Sequence, residues 1–208
     1  MSSNESMRIE PTEGTVVRIR SGDDVLVLDY SEATTKSRKS LWWGTAVGYR
    51  AMQAAALALS TDGLWRRERL YVVSAHPGPG VIDSIDYVCD VVARNRFLCV
   101  QEGDCGGRCN SSMKYEWWVS DGEKTAAIKL RSGFVPRAFY DLCDRMGMPD
   151  ATKDEVMALE IYKVNLSAAV WSAPLMESFR VTVTSIPLAV GDTPEPVKAP
   201  TYWNDLRT

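Results

Sequence analysis

The stretch "LWWGTAVGYRAMQAAALALS", residues 41–60, decides how the rest of the chain is read. Its alanines and the apolar positions Val47, Ala51, Ala54, Ala55 and Ala58 recur at helical spacing, so it is expected to form a closely packed helix. Gly44 and Gly48 lie four residues apart on that helix. They leave a strip without side chains along which a partner backbone or a ligand can approach. A strand and a second helical stripe follow within thirty residues: "RLYVVSA" suits a buried strand, "HPGPG" breaks it, and "VIDSIDYVCDVVA" (81–93) places Val81, Ile82, Ile85, Val88 and Cys89 on one helical face. The only histidine, His76, sits in that break.

Working outward, "TVVRIR" and "VLVLDY" alternate around "SGDD" and predict a β-hairpin near the N-terminus. "RFLCVQE" is a further strand candidate. "KYEWWVS" and "TAAIKLR" around "DGEK" predict a second hairpin, because Asp-Gly favours the tight turn. "VPRAFYDLCDRMG" reads as an amphipathic helix with Gly147 as its C-terminal cap. "DATKDEVMALEIYKVNLSAAVWSA" reads as a long helix with an acidic first turn, and "SFRVTVTSIPL" as a strand alternating from Arg180 to Ile186. The expected class is α+β, a mixed or antiparallel sheet packed with helices. Residues 1–190 are expected to form one domain, and 191–208 an extended arm or tail.

Composition narrows the function. The 208 residues are 45% hydrophobic and 25% charged with a formal net charge of −3, ordinary globular values without the excess of cations that nucleic acid or an anionic membrane selects. The basic cluster "WRRER" (65–69) is interrupted by Glu68. No apolar run reaches the ~18–20 residues of a membrane span, and the polar start "MSSNESMRIEPTEG" lacks the order of a secretory signal. A cytoplasmic protein is expected. The five cysteines are an odd number, which favours free thiols. Cys105 and Cys109 have a spacing zinc tolerates, but a closed site needs four ligands, so metal at this pair is the weaker alternative.

Acid–base chemistry is the stronger candidate. On a helix over 81–93, Asp83 and Asp86 are i and i+3, with Asp83 in the first turn and Asp86 among Ile82, Ile85 and Val88. Desolvation there raises a carboxyl pKa toward the range in which one group serves as both acid and base. His76, ending the preceding strand, could face the helix start. The alternative makes Asp83 a cap, Asp86 a solvated residue and His76 a turn hydrogen-bonder. Trp42 and Trp43 are candidates for stacking on a flat ligand and Arg50 for holding a carboxylate, with Arg69 nearby; core packing and a surface ion pair are the competing readings. Of Trp117 and Trp118, strand alternation puts one inside. There is no phosphate-binding glycine loop and no nucleophile elbow.

The order "GTAVGYRA" (44–51), strand, turn, "VIDSID" and the hairpin "WWVSDGEKTAAIKL" resembles the FmdE-like family, which takes its name from a component of formylmethanofuran dehydrogenase. The likeness runs over roughly residues 38–130. It implies an α+β fold, often dimeric, with histidines and cysteines before the first helix and at the turn. Here Arg38 and Ser40 stand where the histidines would be, Trp42 where the cysteine would be, and Pro79 or Gly80 in place of the second cysteine. That family's metal and thiol chemistry is therefore not expected. Within this architecture the chain is similar to bacterial β-carboline-forming Pictet–Spengler cyclases. That resemblance implies a homodimer without cofactor that condenses a tryptophan-type amine with an aldehyde. A carboxylate would act as acid and base, helped by a histidine ten residues before it and by an arginine. His76 and Asp86 have that separation, with Asp where Glu is the family's residue; Asp83 remains a rival, and Arg50 is the leading arginine.

Overall fold

The computed structural model describes residues 13–36, 42–60, 64–100 and 109–194. The expected α+β class is what it contains. Most of the expected tail, 195–208, lies outside the described residues. Strands β1 (Val16–Ser21) and β2 (Asp24–Asp29) form the first hairpin, in register from Val16 opposite Asp29 to Ser21 opposite Asp24. Gly22, at φ 59°, supplies the left-handed residue that so short a turn requires. Helices α1 (Tyr30–Lys36) and α2 (Trp42–Leu59) follow. Strand β3 (Trp65–Arg66) joins the edge of β1 in parallel, completing a three-stranded sheet in the order β2-β1-β3.

The larger sheet has the order β5-β4-β6-β7-β8, built from β4 (Tyr71–Ser74), β5 (Phe97–Cys99), β6 (Glu116–Ser120), β7 (Thr125–Leu130) and β8 (Phe179–Thr184). Only β4 and β5 run parallel, because helix α3 (Pro79–Cys89) makes the crossover between them. Helices α4 (Arg137–Arg145) and α5 (Lys153–Ser172) connect β7 to β8, with a single helical turn, Leu175–Ser178, before β8.

Helix α2 is apolar on nearly every side and runs through the centre of the protein, as such a sequence must. Its tightest contact is with α3. A Cβ on Gly44 would lie 3.2 Å from the Val81 nitrogen, and one on Gly48 would lie 2.3 Å from Ser84 Oγ and 3.0 Å from Val81 Cα. The side-chain-free strip therefore receives the backbone of α3. On its other side α2 is tied to the first hairpin, where the Tyr49 hydroxyl is within hydrogen-bond distance of the carbonyls of Leu28 (2.6 Å) and Thr15 (2.8 Å).

Four expectations need correction. Helix α3 begins at Pro79, the position where a proline's missing N–H costs nothing, so Asp83 lies in its second turn. It ends at Asp90, whose φ of 54° terminates it in the left-handed region before Ala93 is reached. Gly147 does not cap α4 in the left-handed region: the C-cap is Met146, in right-handed helical geometry. Trp117 and Trp118 are both buried, at 0% and 9% exposure, because the large sheet is covered on both faces. Trp117 enters the main core, whereas Trp118 packs with Tyr71, Val73, Ala75 and Val100 under Leu188. Helix α5 does start as its sequence implies, with Thr152 and Glu155 forming a reciprocal capping box.

The α2–α3 contact yields a prediction. Gly48→Ala gains about 1 kcal/mol in helix propensity, yet it should lower the urea-unfolding free energy by about 1–3 kcal/mol, because its Cβ overlaps Ser84 and the α3 backbone. Adding Ser84→Gly should recover only part of the loss. A Gly48→Ala protein as stable as wild type would mean that the helices do not meet this closely.

Candidate functional site

His76 stands two residues beyond β4, where the chain turns into α3. Its main chain is pinned by Ser74: Ser74 Oγ donates to the His76 carbonyl at 3.0 Å and accepts the His76 N–H at 3.2 Å. The imidazole is 3% exposed and faces a cavity of about 140 Å³. Trp43, Tyr115 and Phe139 give the cavity aromatic walls; Cys109 and Cys143 add sulfur, and Leu159 and Lys163 reach it from α5. The Lys163 ammonium is paired with Glu160 at 2.6 Å.

The Gly78 N–H donates to His76 Nδ1 at 3.0 Å. A nitrogen that accepts a backbone N–H has its lone pair in use, so the neutral ring carries its proton on Nε2. Burial disfavours the charged form and pushes the imidazole pKa down to about 3, so the ring is neutral across the physiological range. No described residue is hydrogen-bonded to Nε2. The ring that lines the cavity is thus neutral, with an N–H at Nε2 that no described group accepts. In this tautomer Nε2 has no lone pair with which to take a proton, so a general-base role at this nitrogen does not fit. A Cβ on Gly78 would lie 2.6 Å from His76 Cε1 and 3.2 Å from Cys109 Sγ, so only glycine allows this arrangement.

Burial holds the two cavity thiols in their protonated form. Burial raises Cys109 to about 11 and Cys143 to about 12, and the only imidazole nearby has no base to give them. None of the four described cysteines is in a disulfide. Cys105 lies outside the described residues, and among the described residues no group of three His, Cys, Asp or Glu side chains is placed to hold a metal.

The other expected site residues are elsewhere. Asp86 lies two turns along α3 from the start of the helix beside His76. Its pKa is raised by burial, as anticipated, but its carboxylate accepts the Val92 N–H at 2.8 Å and closes the turn after the helix instead of reaching the cavity. Asp83 is half-buried on α3 and does not line the cavity. Arg50 is buried and occupied: it donates to the Val170 carbonyl (3.1 Å), the Ala173 carbonyl (2.8 Å) and Gln53 Oε1 (3.0 Å), and stacks on Trp171. It caps the carbonyl end of α5 and is unavailable to a substrate carboxylate. Arg69 pairs with Glu123 at the surface, at 2.8 Å. Trp43 is a wall of the cavity, whereas the side chain of Trp42 lies outside the described residues. Of the expected residues, the structure therefore brings together His76, Trp43 and Cys109.

Tyr115, Phe139, Cys143 and Lys163 were not anticipated. Phe139 and Cys143 on amphipathic α4 and its C-cap Met146 form an i, i+4, i+7 row, a signal of burial but not of what is buried beside it. A larger open groove of about 400 Å³ runs past the ends of β6 and β7, but its ionic groups have partners: Lys129 pairs with Glu116, and Arg131 donates to the Met176 carbonyl. No helix among the described residues is long and apolar enough to cross a membrane. The chain matches no protein-family model and no curated protein sequence.

The buried neutral ring gives a pH signature. Because the folded pKa is depressed below the unfolded value near 6.5, the unfolded chain binds the additional proton between about pH 6.5 and 3. Stability is fully retained above that window. Within it, the His76 contribution falls by about 1.4 kcal/mol per pH unit as the pH is lowered. His76→Asn, which retains an acceptor for Gly78, should flatten that part of the slope in urea titrations from pH 7 to 4. Parallel slopes for the two proteins would mean that the imidazole is not buried.

Proposed function

We propose that the chain is a cofactor-independent small-molecule enzyme. It condenses an aromatic amine of the tryptophan type with an aldehyde to a tetrahydro-β-carboline, a Pictet–Spengler cyclisation, in the cavity around His76. The observation that supports this reading most is the Gly78 hydrogen bond, which leaves a neutral Nε2–H on an imidazole that lines an apolar, aromatic-walled cavity. A donor fixed in place before the reaction, in low-dielectric surroundings, stabilises charge developing on a carbonyl oxygen far more than water does. A volume near 140 Å³ accommodates about one small ring, so the cavity takes one of the two partners, and the donor favours the aldehyde.

The chemistry follows from that placement. The Nε2–H donates to the aldehyde oxygen while the amine nitrogen adds to the carbonyl carbon. The carbinolamine takes a proton from solvent and loses water to give the iminium, the indole carbon attacks it, and the ring proton returns to solvent, so that one amine and one aldehyde give one tetrahydro-β-carboline and one water. The sequence of steps is redox-neutral. This scheme assigns His76 the donor role and dispenses with Asp86 as acid and base.

One observation favours a second reading, a non-catalytic binder of small aromatic molecules. No Asp or Glu is among the residues lining the cavity, and the pKa values of its thiols and of Tyr115 lie far from neutral. Mass spectrometry and chiral chromatography of the protein incubated with tryptophan, tryptamine and a panel of small aldehydes separate the two. The cyclase gives product with an enantiomeric excess, His76→Asn slows turnover by roughly 100-fold, and Asp86→Asn retains it within about threefold. Bound aldehyde with only racemic product at the uncatalysed rate supports the binder and rules out the cyclase.

A further inference from the structure

Resting on the reading of the His76 cavity as the ligand site, we infer that Tyr115 is a second hydrogen-bond donor to the same ligand oxygen, held for that purpose by Trp43. Trp43 Nε1–H donates to the Tyr115 hydroxyl oxygen at 2.7 Å. An indole nitrogen has no acceptor capacity, so this bond uses a lone pair of the phenol and leaves its O–H directed elsewhere. Tyr115 is 6% exposed and lines the cavity, and its hydroxyl donates to no described group. A buried phenol O–H without an acceptor is costly, which a ligand oxygen would relieve.

The two donors are neighbours. The Tyr115 and His76 ring centroids are 4.5 Å apart, and the planes are inclined by 52°. Trp43 is fixed in turn by parallel stacking on Phe134, at 6.0 Å and 7°. The phenol stays protonated, because burial raises its pKa well above the ordinary 10. Two neutral donors beside one another select an uncharged acceptor that gains negative charge on reaction. A carbonyl oxygen meets that description. An ammonium has no lone pair to offer, and a carboxylate would find as counter-cation only Lys163, whose charge is already paired with Glu160. Tyr115 therefore sets which end of a ligand points inward and which ligands are held.

Benzaldehyde and toluene test this directly, being ring-sized and differing in the acceptor. The carbonyl stretch of ¹³C-labelled benzaldehyde bound to the full chain, read by difference infrared spectroscopy, should fall below its value in an apolar solvent. Tyr115→Phe should return part of that shift and weaken benzaldehyde by about 5–15-fold, leaving toluene within about twofold. Because Tyr115→Phe leaves the Trp43 nitrogen unpaired and could impair folding, 3-fluorotyrosine at position 115 provides a second arm. Its more acidic phenol should lower the stretch further. Equal loss of both probes in Tyr115→Phe, or a stretch that neither substitution moves, overturns the role of Tyr115 while benzaldehyde binding keeps the cavity reading intact. Failure of the wild-type protein to bind either probe overturns both.

Discussion

The backbone-to-backbone approach of α2 and α3 is the constraint from which the rest follows. Gly44 and Gly48 let α3 settle against α2 with atoms closer than any side chain would allow. Because α3 is the crossover between parallel strands β4 and β5, that seating also fixes where the loop from β4 enters the helix. The loop holds His76, and its Gly78 is both the N-terminal cap of α3 and the hydrogen-bond donor to the imidazole. Core packing and site chemistry are thus coupled through one helix, α3. A shift of α3 along α2 would move the Gly78 N–H away from Nδ1 and release the tautomer that gives the cavity its donor.

Several arginines of this protein satisfy backbone carbonyls. Arg50 satisfies carbonyls at the end of α5, and Arg67 does the same for α3 through the carbonyls of Tyr87 and Val88. Arg96 bonds to the carbonyls of Leu70 and Arg69, where β4 begins. With those cations consumed by backbone, the cavity is polarised by neutral groups. Lys163, already in an ion pair, is the cation among its lining residues. A site of this kind is governed by donor placement and desolvation instead of by net charge, so its ligand preference should respond weakly to ionic strength.

Much of the fold was legible from periodicity, and the reasons for the misses are physical. Both hairpins, the central helix and the acidic start of α5 follow from local patterns whose meaning does not depend on distant neighbours. Trp118 is different, because alternation tells which face a residue takes, not whether that face is later covered. Asp86 departs from expectation for a related reason. Ten residues separate it from His76, but most of them are helix, which turns sequence separation into axial distance and puts the carboxylate toward the far end of α3. The cavity itself was out of reach: Trp43, His76, Tyr115, Phe139 and Lys163 come from five separate segments, and only the packing of α5 on α2 and of α4 on α5 brings them together.

The second face of the large sheet has a bearing on how the chain is made. Trp118, Tyr71 and Val73 lie on that face under Leu188, and the Tyr71 hydroxyl donates to the Asp192 carbonyl. During synthesis, β4 and the β6–β7 hairpin leave the ribosome well before those partners, with the whole of α4 and α5 still to come. For that interval a tryptophan-bearing apolar surface and the unpaired edge of β7 stand open in the nascent polypeptide, a natural binding patch for a holdase chaperone until β8 and the segment after it arrive.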